Sequence, residues 1–208
     1  MVSLLQTDGR DEHYFTEQPT SKLELGVVHT HLRGELFQFL TASSVFSKRR
    51  VDPGTRLLIE AMELPESGSL LDLGCGYGAV GIVAATLNPN LKIVMTDVNR
   101  RAVWLSKKNM ERNKVTNIEV RKGRLYQPVA GLSFHTILSN PPTTAGLKTA
   151  LSVVSQAPEH LKEEGLLQIV VRTRTGGKRF LSELKSVFGN VRIQARKSGY
   201  RVLISKKP

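Results

Sequence analysis

Three glycines at alternate positions, Gly74, Gly76 and Gly78, fall in the run Asp72-Leu73-Gly74-Cys75-Gly76-Tyr77-Gly78, between a short apolar stretch and a helical pattern. Glycines at such a junction allow dihedrals closed to other residues and let a ligand approach the backbone, while the helix start offers free N–H groups. Asp97 follows 23 residues after Gly74, at the end of the next apolar stretch. A carboxylate there can accept hydrogen bonds from both ribose hydroxyls of an adenosine. The turn and the acid, in strand–helix–strand order, predict a site for a nucleoside cofactor. The spacing is G-x-G-x-G, not the G-x-G-x-x-G of dinucleotide sites.

Ser139-Asn140-Pro141-Pro142 is the second group with chemistry in it. Two consecutive prolines stiffen the backbone and keep Asn140 out of helical dihedrals. A side-chain amide and a backbone carbonyl can then be held at a fixed separation. Two acceptors so placed suit a planar –NH2 group: the Asn140 side-chain oxygen takes one hydrogen, and the carbonyl of Asn140 or Pro141 takes the other. The exocyclic amine of a nucleobase is such a group. Its lone pair is delocalised into the ring, so fixing both N–H bonds favours the geometry in which it can attack.

The elements that must position these groups are legible from periodicity. Partly alternating apolar residues from Leu23 to Phe46, punctuated by Gly26 and Gly34, predict short antiparallel strands. Asp52-Pro53-Gly54-Thr55 opens a helix to about Met62. Strands follow at 69–73, 91–96, 118–121, 134–138 and 166–171, and helices at 79–87, 100–113, 147–163 and 178–188. Strands at 191–195 and 200–204 are close enough to form a hairpin. The expected fold is α/β: a doubly wound, seven-stranded, mostly parallel sheet with a small N-terminal β-extension and an antiparallel C-terminal hairpin. The expected division is 1–50 for an arm and extension and 51–208 for the main domain.

The 208 residues contain 30 Lys+Arg against 18 Asp+Glu, a formal net charge of +12. Residues 172–208 hold 11 basic side chains and one acid, Glu183, and residues 100–124 hold nine and two. Such density is the electrostatic footprint of a polyphosphate partner. Arg172, Arg174, Lys178 and Arg179, around Gly176-Gly177 just after a strand, are the expected phosphate contacts. Apolar runs stay far short of the roughly 20 residues a membrane span needs, and the single cysteine, Cys75, excludes an intramolecular disulfide and a cysteine-based zinc cluster. A cytoplasmic protein without a metal or a membrane partner is expected.

Asp72 to Gly78 resembles the cofactor loop of class I S-adenosylmethionine (SAM)-dependent methyltransferases. The resemblance implies a place for Asp72 near the methionine amino group of SAM. Taken in order, Val45-Phe46-Ser47, Val51-Asp52-Pro53-Gly54-Thr55, the glycine loop, Asp97-Val98-Asn99-Arg100, and Ser139-Asn140-Pro141-Pro142 with Ala145-Gly146 narrow it further. Over roughly residues 12–205 the chain resembles the small methyltransferase-domain family, whose bacterial relatives include ribosomal small-subunit guanine-N2 methyltransferases. It is similar to the archaeal-type, single-domain form.

The resemblance implies SAM as cofactor, with S-adenosylhomocysteine as product. It implies cofactor contacts at Asp72, Gly74, Cys75, Gly76, Tyr77, Gly78, Asp97 and Val98. Arg124 and Leu125 join them on the adenine side, although Arg124 stands where an acid is usual. Asn140, Pro141 and Pro142 are implied as the catalytic turn, with Asn140 also at the cofactor. Thr143 replaces the aromatic residue that many members use to stack on the base. Phe46, Tyr14 or Phe15 are then candidates for stacking.

The implied reaction is methylation of an exocyclic amine in structured RNA, with ribosomal RNA or a small-subunit particle as partner and a monomer or weak dimer as the acting form. Guanine N2 leads by resemblance, and cytosine N4 and adenine N6 stay open. A protein-glutamine methyltransferase would use the same Asn-Pro-Pro geometry but leaves the basic C-terminal segment without a purpose. A silent RNA-binding assembly factor would keep the charge and lose turnover. His29 and His31 are expected at the surface or in contact with RNA, and Trp104 in the core or in helix–sheet packing.

Overall fold

A computed structural model describes residue 17, residues 19–143 and residues 146–208. Tyr14, Phe15, Ala145 and most of the N-terminal arm lie outside the described residues. Strands β1 (Leu25–Leu32) and β2 (Glu35–Ala42) form an antiparallel ribbon in which Val28, Leu32, Phe37 and Phe39 are buried, while Leu25, Val27, His29 and His31 face out. This is the period-two pattern of a ribbon with one face covered. The ribbon leads into helix α1 (Pro53–Ala61), whose start is fixed by Pro53 in the first turn and by Asp52, which accepts the Thr55 N–H at 3.0 Å.

Strand β3 (Gly68–Leu73) then alternates with helix α2 (Ala79–Leu87), strand β4 (Leu91–Asp97), helix α3 (Arg100–Arg112), strand β5 (Ile118–Lys122) and strand β6 (Phe134–Ser139). Helix α4 (Leu147–Ser155), strand β7 (Leu161–Arg172), helix α5 (Gly177–Phe188) and strands β8 (Arg192–Lys197) and β9 (Tyr200–Lys206) complete it. The seven strands run in the order β5-β4-β3-β6-β7-β9-β8, parallel except for the two pairings that β9 makes. This is the expected doubly wound sheet with its antiparallel C-terminal hairpin. Succession reverses between β3 and β6. The carboxyl ends at that reversal are where open α/β sheets bind ligands, and the glycine loop and Asn-Pro-Pro leave the sheet there.

Helices α1, α2 and α3 and the ribbon cover one face, with Leu58, Ile82, Leu105 and Phe39 in a common core, while α4 and α5 cover the other with Val153, Phe180 and Leu184. Two asparagines one turn apart, Asn109 of α3 and Asn113 at its C-cap, tie the ribbon to that helix. Asn113 pairs with both backbone groups of Gln38, and Asn109 pairs with both of Leu40 while also donating to the Tyr77 carbonyl at 2.9 Å. These amides satisfy the outer edge of β2, which would otherwise leave buried backbone groups unpaired.

Two expectations needed correction. The helix expected over 147–163 ends at Ser155, a short 3-10 turn spans Ala157–His160, and β7 begins at Leu161, five residues earlier than the apolar run indicates. Leu161 pairs with Phe134 and Leu166 with Thr136, so the extra residues form a bulge with Glu164 at φ +66°. Polar Lys162, Glu163 and Glu164 face out from it and conceal the strand from pattern reading. Trp104 is 39% exposed, because the buried stripe of α3 is Ala102, Leu105, Ser106 and Asn109, and position 104 lies off it.

Candidate active site

The glycine loop is stitched to β4. Gly74 and Cys75 both donate their N–H to the Thr96 carbonyl at 2.9 Å, and Gly76 donates to Asp97 Oδ2 at 2.8 Å. Asp97 Oδ1 takes the Asn99 N–H at 2.8 Å, so each carboxylate oxygen braces one side of the bend. Gly74 and Gly76 have φ of +75° and +58°, and a Cβ on either would meet no atom within 4 Å. They leave a backbone cradle open to a ligand. Gly78 is different. It caps α2 at φ +91°, packed against Ile82, Met95 and Ser106, and does not line the cavity.

Asp72 lies beneath the loop, 2% exposed, and accepts the Gly81 N–H of α2 at 2.9 Å. Burial drives its carboxyl up to about 7, against the pull of Gly81, and the nearby Asp97 adds to the rise. Burial likewise raises Asp97 to about 6, against the N–H groups of Asn99, Gly76 and Val98. Two carboxylates that charge reluctantly in each other's company make a site that gains from a cationic ligand. The Cys75 thiol is pushed up by burial and then by those two carboxylates; it lies 3.5 Å from Ser106 Oγ and stays protonated.

Asn140 leaves β6 at the carboxyl edge, where Ser139 Oγ donates to the Leu73 carbonyl at 2.8 Å and ties the two exits together. The Asn140 amide nitrogen donates to Thr55 Oγ1 at 3.0 Å and Asp52 Oδ2 at 3.4 Å. A carboxylate only accepts, so the NH2 must face Asp52 and the amide oxygen is left for another partner. The Pro141 carbonyl accepts the Thr143 N–H at 2.9 Å. Tyr200 of β9 completes this corner: its ring lies where a Cβ on Gly54 would come within 2.7 Å, and its hydroxyl is 3.5 Å from Asp52 Oδ1.

One cavity of about 780 Å³ joins these parts. Along it lie Asp72, Gly74, Cys75, Gly76, Tyr77, Asp97 and Val98, then Arg124 and Leu125, then Asn140, Pro141, Pro142 and Thr143. Phe46 and Arg172 also line it. Arg174, Lys178 and Arg179 are exposed and stand outside it. Arg172 places its guanidinium 5.2 Å over the Tyr200 ring and donates from Nε to the Tyr200 hydroxyl at 2.9 Å. Sequence reasoning gave no site role to Asp52, Thr55, Tyr200 or Thr96, all of which line the cavity. Asp52-Pro53-Gly54-Thr55 is read in the sequence as a helix start and as one motif of the family resemblance, with no site role given to its residues.

Comparison with known proteins agrees with this geometry. The methyltransferase small domain family matches residues 36–204. Uncharacterized protein YbxB of Bacillus subtilis is 39% identical over 198 residues, 94% of this chain and 98% of that one. Ribosomal RNA small subunit methyltransferase C of Photorhabdus laumondii is 40% identical over 134 residues, 62% of this chain and 39% of the relative. Its counterpart in Aeromonas hydrophila is 34% identical over 80% of this chain and 48% of its own. The chain therefore spans less than half the length of these ribosomal RNA methyltransferases. Among solved structures, the Thermus thermophilus 16S rRNA N2 G1207 methyltransferase, in complex with AdoMet and guanosine, superposes with a TM-score of 0.80 at 25% identity, over 91% of this chain and 52% of that one. The chain belongs to the methyltransferase small domain family, and its sheet is the class I methyltransferase fold.

Proposed function

We propose that the protein transfers a methyl group from SAM to the exocyclic amine of a base in structured RNA, with N2 of a guanine in small-subunit ribosomal RNA as the acceptor. The observation that carries this reading is the single cavity shared by the glycine loop, Asp97 and the pinned amide of Asn140. Residues 51–208 form the catalytic domain in this reading, and residues 1–50 the arm and β-extension.

The residues present fit the cofactor. Gly74 and Gly76 leave a cradle that any side chain would fill. Among the described residues, Thr96 Oγ1 is a buried oxygen without a hydrogen-bond partner, and Thr96 lines the same cavity. The volume is within the range of small-molecule sites, about 300–1,000 Å³. Asp97 would hold the ribose hydroxyls, Asp72 the methionine ammonium, and the Arg124-Leu125 loop the adenine. When bound, SAM supplies a methyl on a sulfonium, whose carbon–sulfur bond breaks with its electrons going to sulfur.

The chain's own work is positioning. Asp52 and Thr55 hold the Asn140 amide so that its oxygen accepts one N–H of the base amine, and a carbonyl of the turn accepts the other. Both hydrogens are then fixed and the nitrogen lone pair is left facing the cofactor side. As nitrogen gains carbon it becomes acidic, and its extra proton is given up to solvent as the product leaves. Phe46 or Tyr200 supplies the aromatic surface that Thr143 lacks, and the basic C-terminal segment holds the RNA backbone.

Incubation with methyl-labelled SAM and small ribosomal subunits lacking the modification, followed by nucleoside mass spectrometry, tests this. Label in N2-methylguanosine is the expected result. Label in an N4-methylated cytidine keeps the amine chemistry and changes the base. SAM binding with no label in any RNA refutes the proposal.

A further inference from the structure

Asp52 is 8% exposed, lines the cavity beside Asn140, and uses its two oxygens unequally. Oδ2 accepts from Thr55 N at 3.0 Å and Asn140 Nδ2 at 3.4 Å. Oδ1 is met among the described residues only by the Tyr200 hydroxyl, at 3.5 Å, the limit of hydrogen bonding. None of the ion pairs among the described residues involves Asp52. The nearest arginine in sequence, Arg56, spends its guanidinium on the His31 carbonyl and Thr30 Oγ1. A buried carboxylate oxygen with acceptor capacity to spare therefore stands next to the group that fixes the acceptor amine.

We propose that Asp52 is a specificity-determining residue: its Oδ1 accepts the N1–H of a guanine whose N2 amine is held by Asn140. This rests on the reading of the site as a base-amine methyltransferase. On guanine, a ring nitrogen next to the amine-bearing carbon carries a hydrogen. On cytosine and adenine the corresponding ring nitrogen carries only a lone pair. A carboxylate beside the amine acceptor attracts the first arrangement and repels the second. Because Asp52 and Asn140 are hydrogen-bonded to each other, a base that engages one meets the other. Sites built around such a hydrogen bond reject analogues lacking it strongly, because the buried acceptor is left unpaired. Gly54 and Tyr200 serve the same end. The bare backbone of Gly54 lets the Tyr200 ring sit against α1, so that Oδ1 meets one weak donor, a hydroxyl that also accepts from Arg172 Nε at 2.9 Å and that a base can replace.

The test compares guanine with 2-aminopurine, which has the same amine but a lone pair at N1. An RNA carrying either base at the labelled position is supplied free and assembled in small subunits. The wild-type protein should prefer guanine in kcat/KM by about 100-fold or more. Asp52→Asn keeps the helix cap and an acceptor for Asn140 but puts an NH2 where Oδ1 stands. It should bind SAM and melt as wild type does, lose about 100-fold on guanine, and bring the two bases within about tenfold. A purely structural role for Asp52 would lower both bases equally. An unchanged ratio in the variant overturns the proposal, as does a wild-type protein that uses both bases alike. The wild-type comparison stands even if Asp52→Asn fails to fold. A protein that binds SAM and methylates neither base overturns the reading of the site and this inference together.

Discussion

Lowering the pH from 8 to 6 should weaken cofactor binding, and the size of the effect follows from Asp72 and Asp97. Their carboxyls are raised to about 7 and about 6. At pH 8 both are almost fully ionised; at pH 6 about a tenth of Asp72 and half of Asp97 remain so. If the methionine ammonium and the ribose each require the ionised form, affinity for S-adenosylhomocysteine, which keeps the ammonium and ribose, should fall about 20-fold over that interval. Binding at pH 6.5 should release about one proton, since the two groups together hold about one there.

The sign for the empty protein is opposite. Both native values lie above the ordinary aspartate value of about 3.9, so these groups contribute most stability below about pH 4 and lose it as pH rises through 6 to 7. Their contribution to the empty protein's melting temperature therefore declines between pH 5 and 8, while the increment due to ligand grows. Titration calorimetry at pH 5.5–8.5, in two buffers of different ionisation heat, measures both affinity and proton release. Asp72→Asn should remove the upper step and leave the one near pH 6. Affinity constant within twofold from pH 6 to 8, with no buffer dependence, would refute the assignment of either carboxylate to the cofactor.

Asn140→Ala should lower methyl transfer by orders of magnitude and leave SAM affinity nearly intact; calorimetry beside a methyl-transfer assay checks it, and unchanged turnover removes Asn140 from the chemistry. Asn109→Ala strips hydrogen bonds from the Leu40 amide and the Leu40 and Tyr77 carbonyls. It should cost about 2–4 kcal/mol in urea unfolding with an unchanged m-value, and a loss below about 0.5 kcal/mol would mean that water replaces the amide. Charge reversal at Arg172 and Arg174 should weaken RNA binding and reduce the salt slope by about one for each phosphate no longer neutralised. Filter binding across a salt series decides this, and superimposable curves would remove both arginines from the RNA contacts.

Most of the sheet was legible because its inner strands β3, β6 and β9 and the later half of β7 obey a simple rule: largely buried on both faces, they read as apolar runs cut by glycine, proline or polar turns, whereas the edge strands β5 and β8 stay partly exposed. The rule fails at residues 162–164, where the bulge carries no apolar residue. It fails again at Trp104, where a large aromatic side chain suggests burial that the register of its helix denies. The glycine loop and Asn-Pro-Pro were legible for a different reason. Each compresses its chemistry into a few consecutive residues. Asp52 does not. Its local neighbours explain it fully as an N-cap, while the partners that give it another role, Asn140 and Tyr200, lie 88 and 148 positions away. A residue with a complete local explanation hides a long-range one.

That division has a physical consequence for how the cavity works. Its cofactor side carries two carboxylates raised by burial, and the cation of a bound cofactor would relieve them. The corner around Asn140 carries Asp52 at the N-terminus of α1, where the helix dipole favours a negative charge. The Gly81 N–H of α2 partly satisfies Asp72, and the Gly76 N–H of the loop partly satisfies Asp97. Asp52 is instead tied to Asn140 and Thr55, neither of which touches the loop carboxylates in any hydrogen bond among the described residues. Cofactor affinity should therefore follow pH through Asp72 and Asp97, whereas base choice should follow Asp52. Substitution at one set should leave the readout of the other in place.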